Sequence, residues 1–243
     1  MRTILSLVLI ILLMSQVQSP QSLPNELAIV GPLSQTAFGC LAQEGYTWSI
    51  VRAYEISTSP APGAVDTNAT QTMINSAAAG LPVDAYIVIC RNNDAASQID
   101  AVFSGIDNSL FDYLWIKVEP NTTPGCSWSG YTAADSCAFL NNAISQAQSY
   151  GKTVGVFSTA NIWNQFFGGS CDIGASGIPL WYADYTTNGQ VDSTTSYDDF
   201  VSFGGWASAS LKQVGGNVTI TSLCGHSTWH AYIDQLFWQA PPV

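Results

Sequence analysis

Short apolar segments alternate with segments of helical spacing through the first two thirds of the chain. The short segments are rich in Val, Ile, Tyr and Trp, and several are almost continuously apolar, which is typical of strands buried on both faces. The pattern predicts eight strands, at residues 27–30, 48–54, 85–90, 113–119, 153–157, 179–185, 210–214 and 231–238.

Helical spacing is clearest in the segment that starts near Ser136. Leu140, Ile144 and Ala147 fall on one face of this segment, and Gly151 follows where a glycine commonly ends a helix. Three earlier segments repeat the spacing, at residues 38–41, 73–77 and 99–103.

The order of these elements predicts an α/β fold. Strand, helix and strand joined by short connections imply parallel strands with right-handed crossovers. After residue 157 the chain becomes rich in Gly, Ser, Thr and Asn, and no convincing long helix follows. We therefore expect one domain over residues 20–243, a modified TIM-like β/α barrel of five β/α units followed by three strands with few helices. An open α/β sheet is the alternative.

The N-terminus has the layout of a secretory signal peptide. Arg2 precedes an apolar run over residues 4–14, and Val17 and Ser19 suit the small-residue positions before a cleavage site. The run is too short to span a bilayer, and no later segment is long and apolar enough to do so. We expect cleavage after about residue 19 and a secreted or lumenal product without membrane contact.

Charge narrows the range of partners. The 243 residues include 6 Lys and Arg against 17 Asp and Glu, a formal net charge of -11, yet only 9% of residues are charged. A hydrophobic share of 47% with 12% aromatic residues supplies enough material for a core, so a disordered acidic chain is excluded. No basic cluster is present, which excludes nucleic acid as a partner.

The cysteines and the glycosylation sequons also fit a secreted or lumenal protein. An even number of cysteines in an exported chain favours disulfides over metal binding, and the chain has no CxxC pair and only two histidines. We expect no metal. The six cysteines are Cys40, Cys90, Cys126, Cys137, Cys171 and Cys224. Cys126 and Cys137 are close enough in sequence to bridge one loop, with the other pairings open. Candidate glycosylation sites are Asn68, Asn121 and Asn217.

Glu119 is the first candidate for chemistry. In parallel barrels the working residues lie at the C-terminal ends of strands, and Glu119 ends the fourth predicted strand. Strand alternation puts Trp115 and Lys117 on the same face. A carboxyl group in an apolar interior suits the role of general acid. The competing interpretation is a structural ion pair with Lys117.

Two further acids lie in apolar surroundings. Asp234 is isolated inside the last predicted strand, where it either has a structural role or works in a site. Asp184 lies among Trp181, Tyr182 and Tyr185, whose rings could pack on sugars or simply fill the core. Asp184 falls on the opposite face from Trp181 and Tyr185, so it could be a solvated residue. No GxSxG, HExxH or glycine-rich phosphate loop occurs.

The order of several segments resembles glycoside hydrolase family 25 lysozymes of the nematode and amoeba kind. These segments are SQTAFGCL at 34–41, IVRAY at 50–54, LWIKVE at 114–119, VGVFS at 154–158, LWYADY at 180–185, FGGW at 203–206, LKQ at 211–213 and LCG at 223–225. The resemblance covers nearly the whole chain after the signal peptide. It implies a modified β/α barrel that cleaves the β-1,4 bond between N-acetylmuramic acid and N-acetylglucosamine without a cofactor.

The resemblance also assigns roles to residues. Glu119 matches the family's proton donor and Asp234 the acid of its last strand. Contacts with a bacterial cell-wall glycan are implied for Trp181, Tyr182, Asp184, Tyr185 and Gln213. The chain is expected to be a monomer.

The sequence departs from the family at two acidic positions, which Ala28 and Lys117 occupy. Hydrolysis with two carboxyl groups needs one protonated acid and one anion, whereas a cation at Lys117 favours ionised Glu119. We therefore carry two hypotheses: a lysozyme-type hydrolase of weak activity, and an inactive relative that binds a glycan or a protein partner.

Overall fold

A computed structural model describes residues 25–56, 62–185, 190–220, 224 and 231–238. The predicted signal peptide and both histidines, His226 and His230, lie outside the described residues. No helix within these ranges is long and apolar enough to cross a membrane.

Eight strands form a closed barrel, as predicted. The first strand pairs in parallel with the second and antiparallel with the last, which closes the ring. All other neighbours in the ring are parallel except the last two strands. The strands are β1 (Asn25–Ile29), β2 (Tyr46–Glu55), β3 (Ala64–Val65), β4 (Val83–Val88), β5 (Tyr113–Lys117), β6 (Thr153–Ser158), β7 (Leu180–Ala183), β8 (Leu211–Ile220) and β9 (Ala231–Trp238). The unpredicted β3 is a two-residue strand that pairs only with β2 and stands outside the ring.

Five helices follow the first five strands of the ring and complete five β/α units. They are α1 (Gln35–Gln43), α2 (Ala69–Ala78), α3 (Ala95–Gly105), α4 (Ala133–Ser149) and α5 (Ala160–Phe166). Side chains of Ser34, Asp94, Thr132 and Thr159 accept hydrogen bonds from backbone amides in the first turn of α1, α3, α4 and α5, which fixes where these helices begin. The apolar pattern did not predict α5, because its seven residues are too few for a periodic signal.

The β7 to β8 connection is held without a helix. The ammonium group of Lys212 is fully buried and donates to carboxylate oxygens of Asp192 (3.0 Å) and Asp199 (2.9 Å) and to the backbone oxygen of Ser196 (3.0 Å). Because three points of the segment bind one buried cation, this polar stretch keeps a defined path beside the barrel.

Two layers of apolar side chains flank the sheet. The outer layer, between the strands and the helices, includes Leu114 and Ile116 of β5. The inner layer fills the barrel and includes Trp115 of β5, with Trp181 and Phe157 from neighbouring strands. Alternation along β5 thus separates the two cores, as the period of two requires.

All six cysteines form disulfides, which confirms the expected use of cysteine, but the suggested Cys126–Cys137 bridge is wrong. The observed pairs are Cys40–Cys224, Cys90–Cys126 and Cys137–Cys171. Cys126 reaches back to the end of β4, while Cys137 lies inside α4 and reaches the segment that follows α5. Sequence proximity failed as a guide because the pairing depends on which elements the fold packs side by side, and the two bridges join segments 36 and 34 residues apart.

Candidate active site

Glu119 lies at the C-terminal edge of the barrel, two residues beyond the end of β5. The strand ends at Lys117 rather than at Glu119, although Val118 still donates a backbone hydrogen bond to Phe157. The Glu119 side chain is 33% exposed, so it meets solvent at the barrel mouth. Its Oε1 lies 2.9 Å from Nζ of Lys117, and the ion pair expected as the competing interpretation is therefore present.

Lys117 is buried in a box of three aromatic rings. Its Nζ lies 4.5 Å from the ring centroid of Phe157, 4.8 Å from that of Trp181 and 5.1 Å from that of Tyr86. The residue is 5% exposed. Three ring faces within about 6 Å of one ammonium group each attract it through their quadrupoles, which offsets part of the cost of removing it from water.

The strand register explains how the box is assembled. Lys117 is the register partner of Phe157 on β6, and Phe157 is in turn the partner of Trp181 on β7. Tyr86 of β4 is the partner of Trp115, two residues before Lys117. Tyr86 and Phe157 were not among the residues singled out from the sequence. Their aromatic character at inward positions of strands that flank β5 is the signal that could have found them.

Ala28 and Asp234 meet across the β1 and β9 pair. They are register partners, and Ala28 is buried in the inner core. Asp234 is therefore located on the strand that adjoins the position where the resemblance expects an acid. The small side chain of Ala28 leaves that register position without a carboxylate of its own.

The aromatic residues of β7 divide between the two layers. Trp181 is fully buried in the inner core beside Lys117, and its Nε1 has no hydrogen-bond partner among the described residues. Tyr182 belongs to the outer core, where burial and the nearby carboxylates of Asp184 and Asp199 raise the pKa of its hydroxyl. Tyr182 thus lies behind the barrel wall rather than at the mouth.

The other residues predicted to contact the glycan lie at or near the C-terminal edge of the barrel. Tyr185 is 42% exposed just after β7, and its backbone amide donates to Oδ1 of half-buried Asp184. Gln213 is buried on β8 opposite Ala183, and its Oε1 has no partner within the described part of the chain. The inner position of Gln213 and Trp181 places two unsatisfied polar groups near the barrel mouth.

The sequons fall in three settings. Asn68 is exposed directly before α2. Asn121 is half-buried in the loop after β5, two residues from Glu119, and its Oδ1 accepts a hydrogen bond from the amide of Thr123 (2.7 Å). Asn217 lies in β8.

Glu119 and Lys117 are the charged pair that the structure places at the mouth. Glu119 can hold or transfer a proton at a solvent-accessible edge, and Lys117 supplies fixed positive charge beside it. In the described ranges, no three His, Cys, Asp or Glu side chains come together in a way that could hold a metal ion.

Comparisons with known proteins agree with this architecture. A family model described as lysozyme-like protein 1 matches residues 21–214. The chain is 30% identical to lysozyme-like protein 5 of Caenorhabditis elegans over 86% of this chain and 91% of that protein. It is 32% identical to probable GH family 25 lysozyme 4 of Dictyostelium discoideum over 72% of this chain and 76% of that protein.

The fold is also similar to that of solved muramidases. The muramidase from Acremonium alcalophilum superposes with a TM-score of 0.65 at 13% identity, over 90% of this chain and 94% of that one. The barrel, the five β/α units and the family match confirm the resemblance drawn from the sequence, and the chain belongs to the lysozyme-like family that includes glycoside hydrolase family 25 lysozymes.

Proposed function

We propose that the protein is an exported glycoside hydrolase of the muramidase class, which cleaves the β-1,4 bond between N-acetylmuramic acid and N-acetylglucosamine at a low rate. One observation carries the proposal. Glu119 stands with its side chain 33% exposed at the C-terminal edge of a barrel whose family members include lysozymes. This edge is where catalytic groups of parallel barrels lie.

Glu119 is the proposed proton donor to the leaving oxygen. Its access to solvent lets it recover a proton after each turnover. The Lys117 ammonium group lies 2.9 Å from Oε1 of Glu119, and a cation at this place conflicts with the second, anionic group that hydrolysis with two carboxyl groups uses. A low rate follows from this conflict.

Asp234 is the proposed second acid. Glycosidases use a second carboxylate to stabilise an oxocarbenium-like state, to attack the sugar or to activate water. Asp234 is the register partner of Ala28, so β9 brings an acid next to the position where the family expects one on β1. The resemblance expects an acid on each of β1 and β9, and this chain has Ala28 in place of the one on β1. The loss of that carboxyl group also favours a low rate.

The glycan is proposed to bind along the β5, β7 and β8 side of the mouth. Trp181 Nε1 and Gln213 Oε1 are a buried donor and a buried acceptor without partners in the described chain, and a sugar hydroxyl group would reach them only after the side chains around them move. Tyr185 adds an exposed ring at the same edge, suited to stacking on a sugar face.

The test compares the mature protein with two glutamate variants on purified peptidoglycan. We expect slow release of reducing ends from pH 4 to 7, loss of at least 100-fold in Glu119→Gln, and no change in Glu44→Gln, a control at the exposed end of α1. Equal rates in the two variants would exclude Glu119 as the acid.

The ion pair between Lys117 and Glu119 favours a second candidate function, a glycan-binding relative without turnover. In that case peptidoglycan would sediment with the wild-type protein and with Glu119→Gln alike, while neither released reducing ends. Measuring binding and release on the same samples separates the two functions.

Export is part of the proposal. Three disulfides agree with an oxidising compartment. N-terminal sequencing of protein secreted by a eukaryotic host is expected to begin near residue 20, and mass spectrometry with and without glycosidase treatment would show which sequons carry glycans.

A further inference from the structure

A cavity of about 600 Å³ opens at the end of the barrel opposite Glu119. Its lining residues lie at the beginnings of strands, among them Glu26 of β1, Trp48 of β2, Asp84 of β4 and Tyr113 of β5. The corresponding end of parallel barrels usually serves stability and is filled by side chains. A volume of this size is in the range of small-molecule sites and therefore calls for an explanation.

Two carboxyl groups that form no ion pair with a described residue line this cavity. Asp84 is 5% exposed and accepts hydrogen bonds from the backbone amide of Tyr113 (3.0 Å) and from Nε1 of Trp115 (3.2 Å). Glu26 is close enough to Asp84 for their charges to interact. None of the ion pairs in the described part of the chain involves either residue.

The protonation of the pair reflects this lack of cations. Burial, and then the neighbouring Asp84, raise the pKa of Glu26 from 4.5 to about 8. Burial also raises the pKa of Asp84 from 3.8 to about 7, against the hydrogen bonds from Tyr113 and Trp115. Both carboxyl groups would gain from a positive charge placed in the cavity, because it would replace the proton as their compensation.

Aromatic rings form much of the wall. Tyr113 and Trp115 stack with ring centroids 5.9 Å apart and planes inclined by 15°. Trp48 presents a third ring. Its buried Nε1 lies outside strict hydrogen-bonding geometry among the described residues, but it is close enough to Asp84 for a weak hydrogen bond that lowers the pKa of that carboxyl group. The wall therefore offers ring faces for an apolar or cationic group.

We propose that this cavity binds a small amphipathic organic cation, with its ammonium group between Glu26 and Asp84 and its apolar body against Trp48, Tyr113 and Trp115. The buried acids select for positive charge, and the rings select for an apolar body, so the site discriminates against inorganic cations and neutral aromatics alike. The proposal does not depend on chemistry at the barrel mouth.

The test uses the mature, disulfide-bonded protein at pH 8 and a matched pair of probes. The first probe is 2-amino-1-phenylethanol, and the second is 1-phenylethane-1,2-diol, in which a hydroxyl replaces the ammonium group. We expect the amine to bind at least tenfold more tightly than the diol by calorimetry. We expect Glu26→Gln to reduce amine affinity at least tenfold, and Glu44→Gln to leave it unchanged.

Asp84→Asn provides a second variant, with folding checked by circular dichroism. If it folds, it should also reduce amine affinity at least tenfold; if it does not, the Glu26→Gln result decides. Equal binding of amine and diol would overturn the choice of a cation. Absence of amine binding to the wild-type protein, or unchanged affinity in Glu26→Gln, would overturn the site itself.

Discussion

The acids at the two ends of the barrel have opposite surroundings. At the C-terminal end, Glu119 is partly exposed and lies 2.9 Å from the ammonium group of Lys117. At the other end, Glu26 and Asp84 are mostly buried, and no described ion pair reaches them. One end compensates a carboxylate with a cation, and the other with protons.

This difference shows that burial alone does not define a catalytic acid. The carboxyl groups whose pKa values burial raises, as a general acid requires, lie at the end where parallel barrels do not perform catalysis. At the mouth, Lys117 occupies the position where the resemblance drawn from the sequence expects a carboxylate. The location of charge on the inner strands, rather than the total of 17 acids, therefore decides what each end can do.

The largest effect is expected from placing acids at the two mouth positions where the resemblance expects them. The double substitution Lys117→Asp with Ala28→Asp removes the cation that lies 2.9 Å from Glu119 and adds two carboxyl groups. Peptidoglycan hydrolysis, measured as reducing ends released per folded molecule, should rise about 100-fold or more. The variant should also be less stable, because the box of Tyr86, Phe157 and Trp181 loses its cation.

Lys152→Asp is the control for charge reversal, since it changes the net charge by as much as Lys117→Asp alone but lies directly before β6, away from the mouth. No gain is expected there. A folded double variant that hydrolyses no faster than wild type would mean that the substrate groove has also diverged.

The next-largest effect is expected from disturbing the inner core that lies between the two ends of the barrel. Gly155 of β6 is the register partner of Trp115, and a Cβ there would lie 2.3 Å from the Trp115 ring. Gly155→Ala should therefore displace the ring and cost about 1 to 3 kcal/mol in the free energy of unfolding. Because Trp115 contacts both Asp84 and Trp181, amine binding and hydrolysis should weaken together.

Gly39→Ala in α1 is the matched control. A Cβ at Gly39 meets nothing within 4 Å, so this variant should be unchanged or more stable by up to about 1 kcal/mol. Weakening at only one end in Gly155→Ala would show that Trp115 does not connect the two ends.

Local sequence patterns predicted the barrel but only part of its chemistry. Continuous apolar strands and helical spacing fixed the order of the strands and four of the five helices, because both signals depend on near neighbours. The position of Lys117 beside Glu119 could also be predicted, since strand alternation places residues two apart on one face.

The aromatic box around Lys117 and the cavity at the opposite end could not be predicted from local sequence patterns. Tyr86 and Phe157 reach Lys117 only through the register of three strands, which no local pattern specifies. Asp84 lies within an apolar strand, as Asp234 does, yet only Asp234 was singled out from the sequence. The raised pKa of Asp84 comes from burial, which depends on the closure of the barrel.

The last effect is a pH dependence of stability that originates at the end of the barrel lined by Glu26 and Asp84. Glu26 and Asp84 have folded-state pKa values of about 8 and about 7, above their ordinary values of 4.5 and 3.8. Between these limits the folded protein binds more protons than the unfolded chain, so stability should fall as pH rises from 5 to 8, by up to about 1.4 kcal/mol per pH unit for each of the two carboxyl groups. Urea denaturation at both pH values would measure it.

Variants isolate this slope from other titrations. Asp94, Asp107, Asp135 and Asp192 have lowered pKa values, so they are ionised in folded and unfolded states alike above pH 5 and contribute no slope in this window. Glu26→Gln should flatten the dependence because glutamine carries no proton to lose, whereas Glu44→Gln should leave it intact. A slope unchanged in Glu26→Gln and in Asp84→Asn would mean that a cation compensates these two acids. The contrast between the two ends of the barrel would then disappear.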